Sequence, residues 1–153
     1  RPHNHNSRHA VQFSHAKGTM VKDDMYTKAP DIKEKILTTE NQTASTKFDV
    51  ELLGDGSSVD VMSRSVAKDN SYQCFVSKIT GKNRSFGHVS CDGILVGNAR
   101  IDSTPKIICE CVEATLVHEA AIGKIACEQL TKLETLGLDE TEAEDLIIKG
   151  FLK

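Results

Sequence analysis

Between about Lys47 and His118 the chain is built of short β-rich runs broken by Gly, Asn, Asp and Ser, and no Asn-Gly pair stands between two of them. Antiparallel meanders rely on such two-residue turns, so the runs need another way of meeting. Phe48, Val50 and Leu52 alternate with Asp49 and Glu51 before the turn Gly54-Asp55-Gly56, and Val59 and Val61 flank Asp60. Similar runs follow at Tyr72–Ile79, Val89–Val96 and Ile107–Val117. The stretch Cys91-Asp92-Gly93-Ile94-Leu95-Val96 suits a strand covered on both faces, as in parallel sheets. A sandwich can be built from such strands, but stacked coils of a parallel β-helix fit them better. Each coil of a solenoid buries its inward side chains only against its neighbours, so the ends need covers. About three or four coils fit between Lys47 and Val117, near the minimum for a stable core.

After His118 the apolar period changes to about 3.6. Ile122, Ile125, Leu130 and Leu133 recur with Lys124, Glu128, Lys132 and Glu134 between them, and Gly137 stands where a left-handed C-terminal residue belongs. A second helix starts at Asp139, which can accept hydrogen bonds from first-turn amides, with Glu142 three residues on and Glu140 and Glu142 at the positive end of the helix. Ala143, Leu146, Ile147 and Phe151 then share one face. The expected organisation is a polar segment over 1–30, a β-helix over 31–118 and a helical subdomain over 119–153 that either covers the end of the β-region or faces a partner. Residues 1–30, with His3, His5, His9 and His15 irregularly spaced, read as disordered or remnant rather than as a metal site.

A length of 153 residues suits one domain with an appendage. The net charge of −3 leaves no broad basic field for nucleic acid or anionic lipid. No apolar run approaches the roughly 18–20 residues that cross a bilayer, so a cytoplasmic protein is expected. The odd set Cys74, Cys91, Cys109, Cys111 and Cys127 has no disulfide-framework spacing and reads as thiols. Cys109-x-Cys111 is half a zinc site without a second ligand pair nearby, Cys127 reads as helix packing, and Cys74 carries no signal.

Two stretches point further. Gly87-His88-Val89-Ser90-Cys91-Asp92-Gly93-Ile94-Leu95-Val96-Gly97 resembles the last β-coils of the SufB/SufD family of iron–sulfur cluster assembly scaffolds, where a Cys-Asp pair opens an apolar strand. Ala114 to Ile125, with His118-Glu119-Ala120 and Gly123-Lys124-Ile125, resembles that family's His-Glu-Ala-(two residues)-Gly-Lys-Ile signature. It is followed by Glu128-Gln129-Leu130, the Gly137-Leu138 turn and Ile147-Ile148-Lys149-Gly150-Phe151. The resemblance runs from Gly87 to Leu152 and implies a right-handed parallel β-helix with a helical end. It also implies pairing with a sister scaffold or a second copy through the β-helix, and an ABC-type ATPase bound to the helical part, where Lys124, Glu128, Leu130 and Leu133 are the candidate contacts. The scaffold is then no enzyme itself, and the chain indeed has no Gly-x-x-x-x-Gly-Lys-Ser/Thr phosphate loop.

The same resemblance makes Cys91, His118 and Glu119 the candidate ligands for iron or a nascent, transient iron–sulfur cluster. Thiolate can receive sulfur, while imidazole and carboxylate hold iron more exchangeably than four thiolates do. Adjacent strand residues face opposite ways, so His118 and Glu119 reach one site only if the chain already turns toward the helix there. The bland readings are a core cysteine, a histidine bonded to backbone and an ordinary first-turn acid. Two other functions stay open: a β-helical acyltransferase with His118 as general base, which calls for six-residue repeats not seen here, and a purely structural interaction module.

Overall fold

The structure, a computed structural model, describes residues 11–17, 20–26 and 31–153, with side chains from Asp31 onward. In chain order it contains the strands β1 (Val11–Lys17), β2 (Met20–Tyr26), β3 (Asp31–Thr38), β4 (Thr43–Leu52), β5 (Ser57–Ala67), β6 (Tyr72–Gly81), β7 (Ser85–Leu95), β8 (Arg100–Cys109) and β9 (Ala114–Lys124), then the helices α1 (Cys127–Glu134) and α2 (Glu140–Phe151). One sheet has the order β2-β1-β4-β6-β8 and the other β3-β5-β7-β9. From β3 onward consecutive strands alternate between the sheets, and within each sheet they pair in parallel. The fold is the expected β-helix, of about three turns. Within 1–30, β1 and β2 pair antiparallel and β1 lies antiparallel along β4. His3, His5 and His9 lie outside the described residues.

Residues at the same place in successive coils are 28 or 29 positions apart. One corner shows how the sequence sustains that repeat. Glu40, Asp69 and Gly97 all adopt a left-handed backbone, with φ of 55°, 61° and 70°. Each is followed by Asn, and these corners stack: the Asn70 amide donates to the Glu40 carbonyl at 2.9 Å and the Asn98 amide to that of Asp69 at 2.8 Å. The Asp69 side chain also accepts from the Glu40 amide, so a strained turn is held by its neighbour one coil away.

Alternation along each strand puts Phe48, Val50, Leu52, Val59, Val61, Phe75, Ile79, Val89 and Cys91 between the sheets as one core. Burying each of the larger side chains is worth roughly 1.5–3 kcal/mol. Gly87 belongs to the same inward row, where a Cβ would stand 2.3 Å from Ile79 Cδ1, so glycine makes room for the isoleucine that faces it from the other sheet.

One expectation is corrected at the C-terminal end, and one open alternative is decided. The helix does not begin after His118: residues 119–124 continue β9, which pairs along its whole length with β7, and α1 starts only at Cys127. Ile122 faces Gly93 across that ladder, so its spacing from Ile125 imitated a helical period while the strand pairing decided the backbone. The helical hairpin also does not cover the end of the solenoid. Along α2, Lys68 from the β5–β6 corner meets Glu144 and Asp145 at 3.6 and 3.7 Å, and Arg64 of β5 donates to the Phe151 carbonyl at 3.1 Å with its guanidinium 5.8 Å from the Phe151 ring. Lys35 of β3 bonds the Lys153 carbonyl, so the hairpin lies beside the coils on the outer face of the β3-β5-β7-β9 sheet. Asp139 and Glu142 cap α2 reciprocally, at 2.8 and 2.9 Å, as their spacing foretold. Only Ala143 and Ile148 of α2 are buried, and none of α1. No helix among the described residues is long and apolar enough to cross a membrane.

Candidate functional site

Cys91 sits in β7 between Val89 and Gly93, and its thiol points into the solenoid with no exposure to solvent. In β9 the residues opposite Gly87, Val89, Cys91 and Gly93 are Leu116, His118, Ala120 and Ile122, so His118 shares the inward face with Cys91, one step along the ladder. Diagonal neighbours of this kind on adjacent strands lie roughly 7–8 Å apart at the backbone, within reach of long side chains. Glu119 points the other way. It stands 70% exposed on the outer face, where its carboxylate meets His88 Nε2 at 3.2 Å. The structure therefore sets Cys91 and His118 on the same inward face and Glu119 on the opposite side of the sheet.

The electrostatics of the two inward groups differ from the ordinary. Burial pushes the Cys91 thiol up, while the nearby Ser103 hydroxyl works in the other direction and the carboxylates of Asp92 and Glu34 add to the rise. Burial holds His118 below the usual histidine range, helped by the charge of His88, so its imidazole is neutral near pH 7. His118 Nε2 and Ser103 Oγ are both buried with no hydrogen-bond partner of ordinary length among the described residues. A neutral ring nitrogen with no partner and a buried thiol on the same face make two soft donors, the kind that bind iron or copper-like ions and sulfide clusters.

Cys91 lies on a polar line through an otherwise apolar interior, while His118 ends the neighbouring apolar column Ile32, Val61 and Val89. Glu34, Ser63, Cys91 and Ala120 are in register across the four strands of one sheet, and Thr46, Phe75 and Ser103 across three strands of the other. Glu34 accepts from Thr46 Oγ1 at 3.0 Å and from Ser63 Oγ at 3.4 Å. Ser103, Ser63, Thr46 and Glu34 escape a reading along the chain because nothing nearby marks them. The signal that finds them is the 28- or 29-residue coil repeat, which puts Glu34, Ser63 and Cys91 in one column.

The last coil is where this interior opens. Its inward row on β8 runs through Ile101, Ser103, Pro105, Ile107 and Cys109, and Ile107 is 41% exposed and Cys109 exposed because no described coil follows. On the outer face His88 is clamped between Asp60 at 2.8 Å and Glu119. Two carboxylates can both be satisfied only if both ring nitrogens carry protons, and accordingly the Asp60 hydrogen bond, followed by the Glu119 one, raises the His88 pKa against its partial burial. No group of three or more His, Cys, Asp or Glu among the described residues is disposed to hold a metal ion. Of the candidate partner contacts, Lys124 ends β9 and Glu128 opens α1, both exposed, while Leu130 and Leu133 are half-buried on α1. A groove of about 490 Å³ lies beside them, lined by Ile94, Ile122, Ile125, Ile147 and Phe151 among others.

Comparison with known proteins gives one consistent result. Residues 9–151 match the family model described as the SUF system FeS cluster assembly, SufBD core domain. An iron–sulfur cluster assembly SufBD family protein of Methanocaldococcus jannaschii is 36% identical over 128 residues, covering 78% of this chain and 40% of that protein. A relative of the same description from Pyrococcus horikoshii is 39% identical over 107 residues, 69% of this chain and 24% of its own length. One from Mycobacterium bovis is 32% identical over 105 residues, 66% of this chain and 12% of the relative. The chain thus spans less than half the length of these relatives.

Proposed function

Because the chain belongs to the SufBD core-domain family of the SUF iron–sulfur cluster assembly system, we propose that it forms part of a scaffold on which a cluster is built as cargo, with Cys91 and His118 as its ligands. One observation carries this reading: a thiol and an unpartnered, neutral imidazole face inward on adjacent strands, β7 and β9, next to the last described coil. Binding iron would take the proton from the thiol, offsetting the cost that burial places on the bare thiolate. Imidazole holds iron less permanently than thiolate, which suits a cluster that must leave. Two donors leave the cluster with open positions, to be filled by sulfide or by a second scaffold subunit stacked on the uncovered coil. The chain has no enzymatic role of its own in this reading. An ABC-type ATPase docks on the helical hairpin, whose first helix has no fully buried residue and keeps Leu130 and Leu133 half-exposed.

Glu119 stays outside this ligand set, as a carboxylate that ties β9 to β7 through His88. The reading is tested by anaerobic reconstitution with iron and sulfide. Wild type is expected to gain cluster absorbance, and Cys91→Ser and His118→Ala to lose most of it; absorbance retained in both variants sinks the ligand assignment. No cluster in wild type would favour a structural module instead. For the ATPase, Leu130→Asp and Leu133→Asp are better controls than removing 120–153, which would cut β9. Undiminished capture of the ATPase by the double variant would refute docking on α1.

A further inference from the structure

Ser103 faces Cys91 from the opposite sheet, as Thr46 faces Glu34 two coils earlier in the same two columns. Its place is set by the coil repeat: in the column Thr46, Phe75, Ser103, the first residue bonds Glu34, the second packs against Phe48 with ring centres 5.4 Å apart, and the third returns to a hydroxyl. Serine is a costly choice for that position on packing grounds alone. Its Oγ is buried with no hydrogen-bond partner of ordinary length, and a buried hydroxyl left so costs about 1–3 kcal/mol. Flanking inward residues of β8 are Ile101 and Pro105, which meet no such cost. A buried hydroxyl without an ordinary partner, beside a sulfur that becomes electron-rich when it binds iron, is a donor placed for that acceptor.

We infer that Ser103 is a positioning residue of the scaffold site, its hydroxyl donating a hydrogen bond to the Cys91 sulfur once that sulfur holds the cluster. The inference rests on the ligand role proposed for Cys91 and adds a residue from the facing sheet. Such a bond withdraws electron density from the ligating sulfur, stabilises the reduced cluster and so raises its reduction potential. It also fixes the sulfur on the side of β9, toward His118. No bond is made or broken at Ser103 itself.

The test uses the full chain reconstituted anaerobically with iron and sulfide. Thr and Val have nearly the same shape and differ by a hydroxyl, so Ser103→Thr and Ser103→Val separate hydrogen bonding from packing. Ser103→Thr is expected to keep the wild-type reduction potential, while Ser103→Val shifts it to more negative values. Loss of iron to a chelator is expected to be roughly 10-fold faster in Ser103→Val than in Ser103→Thr, the usual effect of losing an outer hydrogen bond to a metal ligand. Equal potentials and equal loss rates in the two variants overturn the inference while leaving the Cys91 assignment intact. A wild-type protein that forms no cluster overturns both, and because the two variants share a volume, a packing defect moves them together and also counts against the hydroxyl.

Discussion

Two histidines a ladder step apart, His88 on the outer face and His118 on the inner, are pushed in opposite directions by their surroundings. His88 is raised, so its clamp between Asp60 and Glu119 contributes fully below the unfolded value of about 6.5 and is lost as pH rises through the folded value. His118 is lowered, so the stability that comes from keeping it neutral is present above about 6.5 and is lost as pH falls through its folded value. Stability should therefore pass through a maximum near neutral pH. In His88→Gln the melting temperature should fall relative to wild type at pH 6, by an amount equivalent to about 1 kcal/mol or less because both carboxylates are exposed, and the gap should close at high pH. A gap that is constant with pH would mean that His88 acts by packing. Cys91 and His118 were named from a family signature, and the strand register sets both on the inward face. Glu119 was misplaced relative to them because side-chain direction depends on whether the chain at 119 is strand or helix, and the ladder with β7 decided that.

At the scale of elements, the β-helix was legible from what the sequence omits, the tight hairpin turns, and from runs that suit burial on both faces. The site of the hairpin was not, because its attachment depends on Arg64, Lys35 and Lys68, outward residues of distant coils whose role no local pattern reveals. Two predictions follow from how the elements are held. Gly87→Ala places a methyl 2.3 Å from Ile79 Cδ1 and 3.0 Å from Leu116 Cδ2, so Ile79 must leave its rotamer, and chemical unfolding should show a loss of about 1–3 kcal/mol. Neutral stability would mean that the core near β6 has slack. Asp139→Ala removes a cap whose two bonds begin α2 and should cost about 0.5–2 kcal/mol. If α2 is held by its flank contacts instead, amide exchange in its first turn will be unchanged by that substitution.

As a whole, the molecule is close to one-dimensional: each coil is stabilised by the next, and the coil of β8 and β9 has a described neighbour on one side only. Its inward row therefore faces outward at the end, with Ile107 41% exposed on the same row as Ser103 and with His118 on the facing strand. The edges of β8 and β9 also leave backbone donors and acceptors without strand partners, a combination that invites another chain. A second scaffold subunit seated there would bury the apolar row, pair the edges and add ligands to the two donors that one chain provides. A single charge at the centre of that surface should be decisive, since an unpaired buried ammonium costs far more than a lost contact. Ile107→Lys is thus expected to lower the self-association or sister-subunit affinity of the chain at least 10-fold in sedimentation measurements, about 1.4 kcal/mol. Because Ile107 is already exposed in the single chain, the isolated fold should tolerate the lysine, with melting of the dissociated protein little changed. Cluster content should fall along with association if the second subunit completes the ligand shell, whereas a monomeric variant that still loads a full cluster would show that the missing ligands come from sulfide and not from a partner.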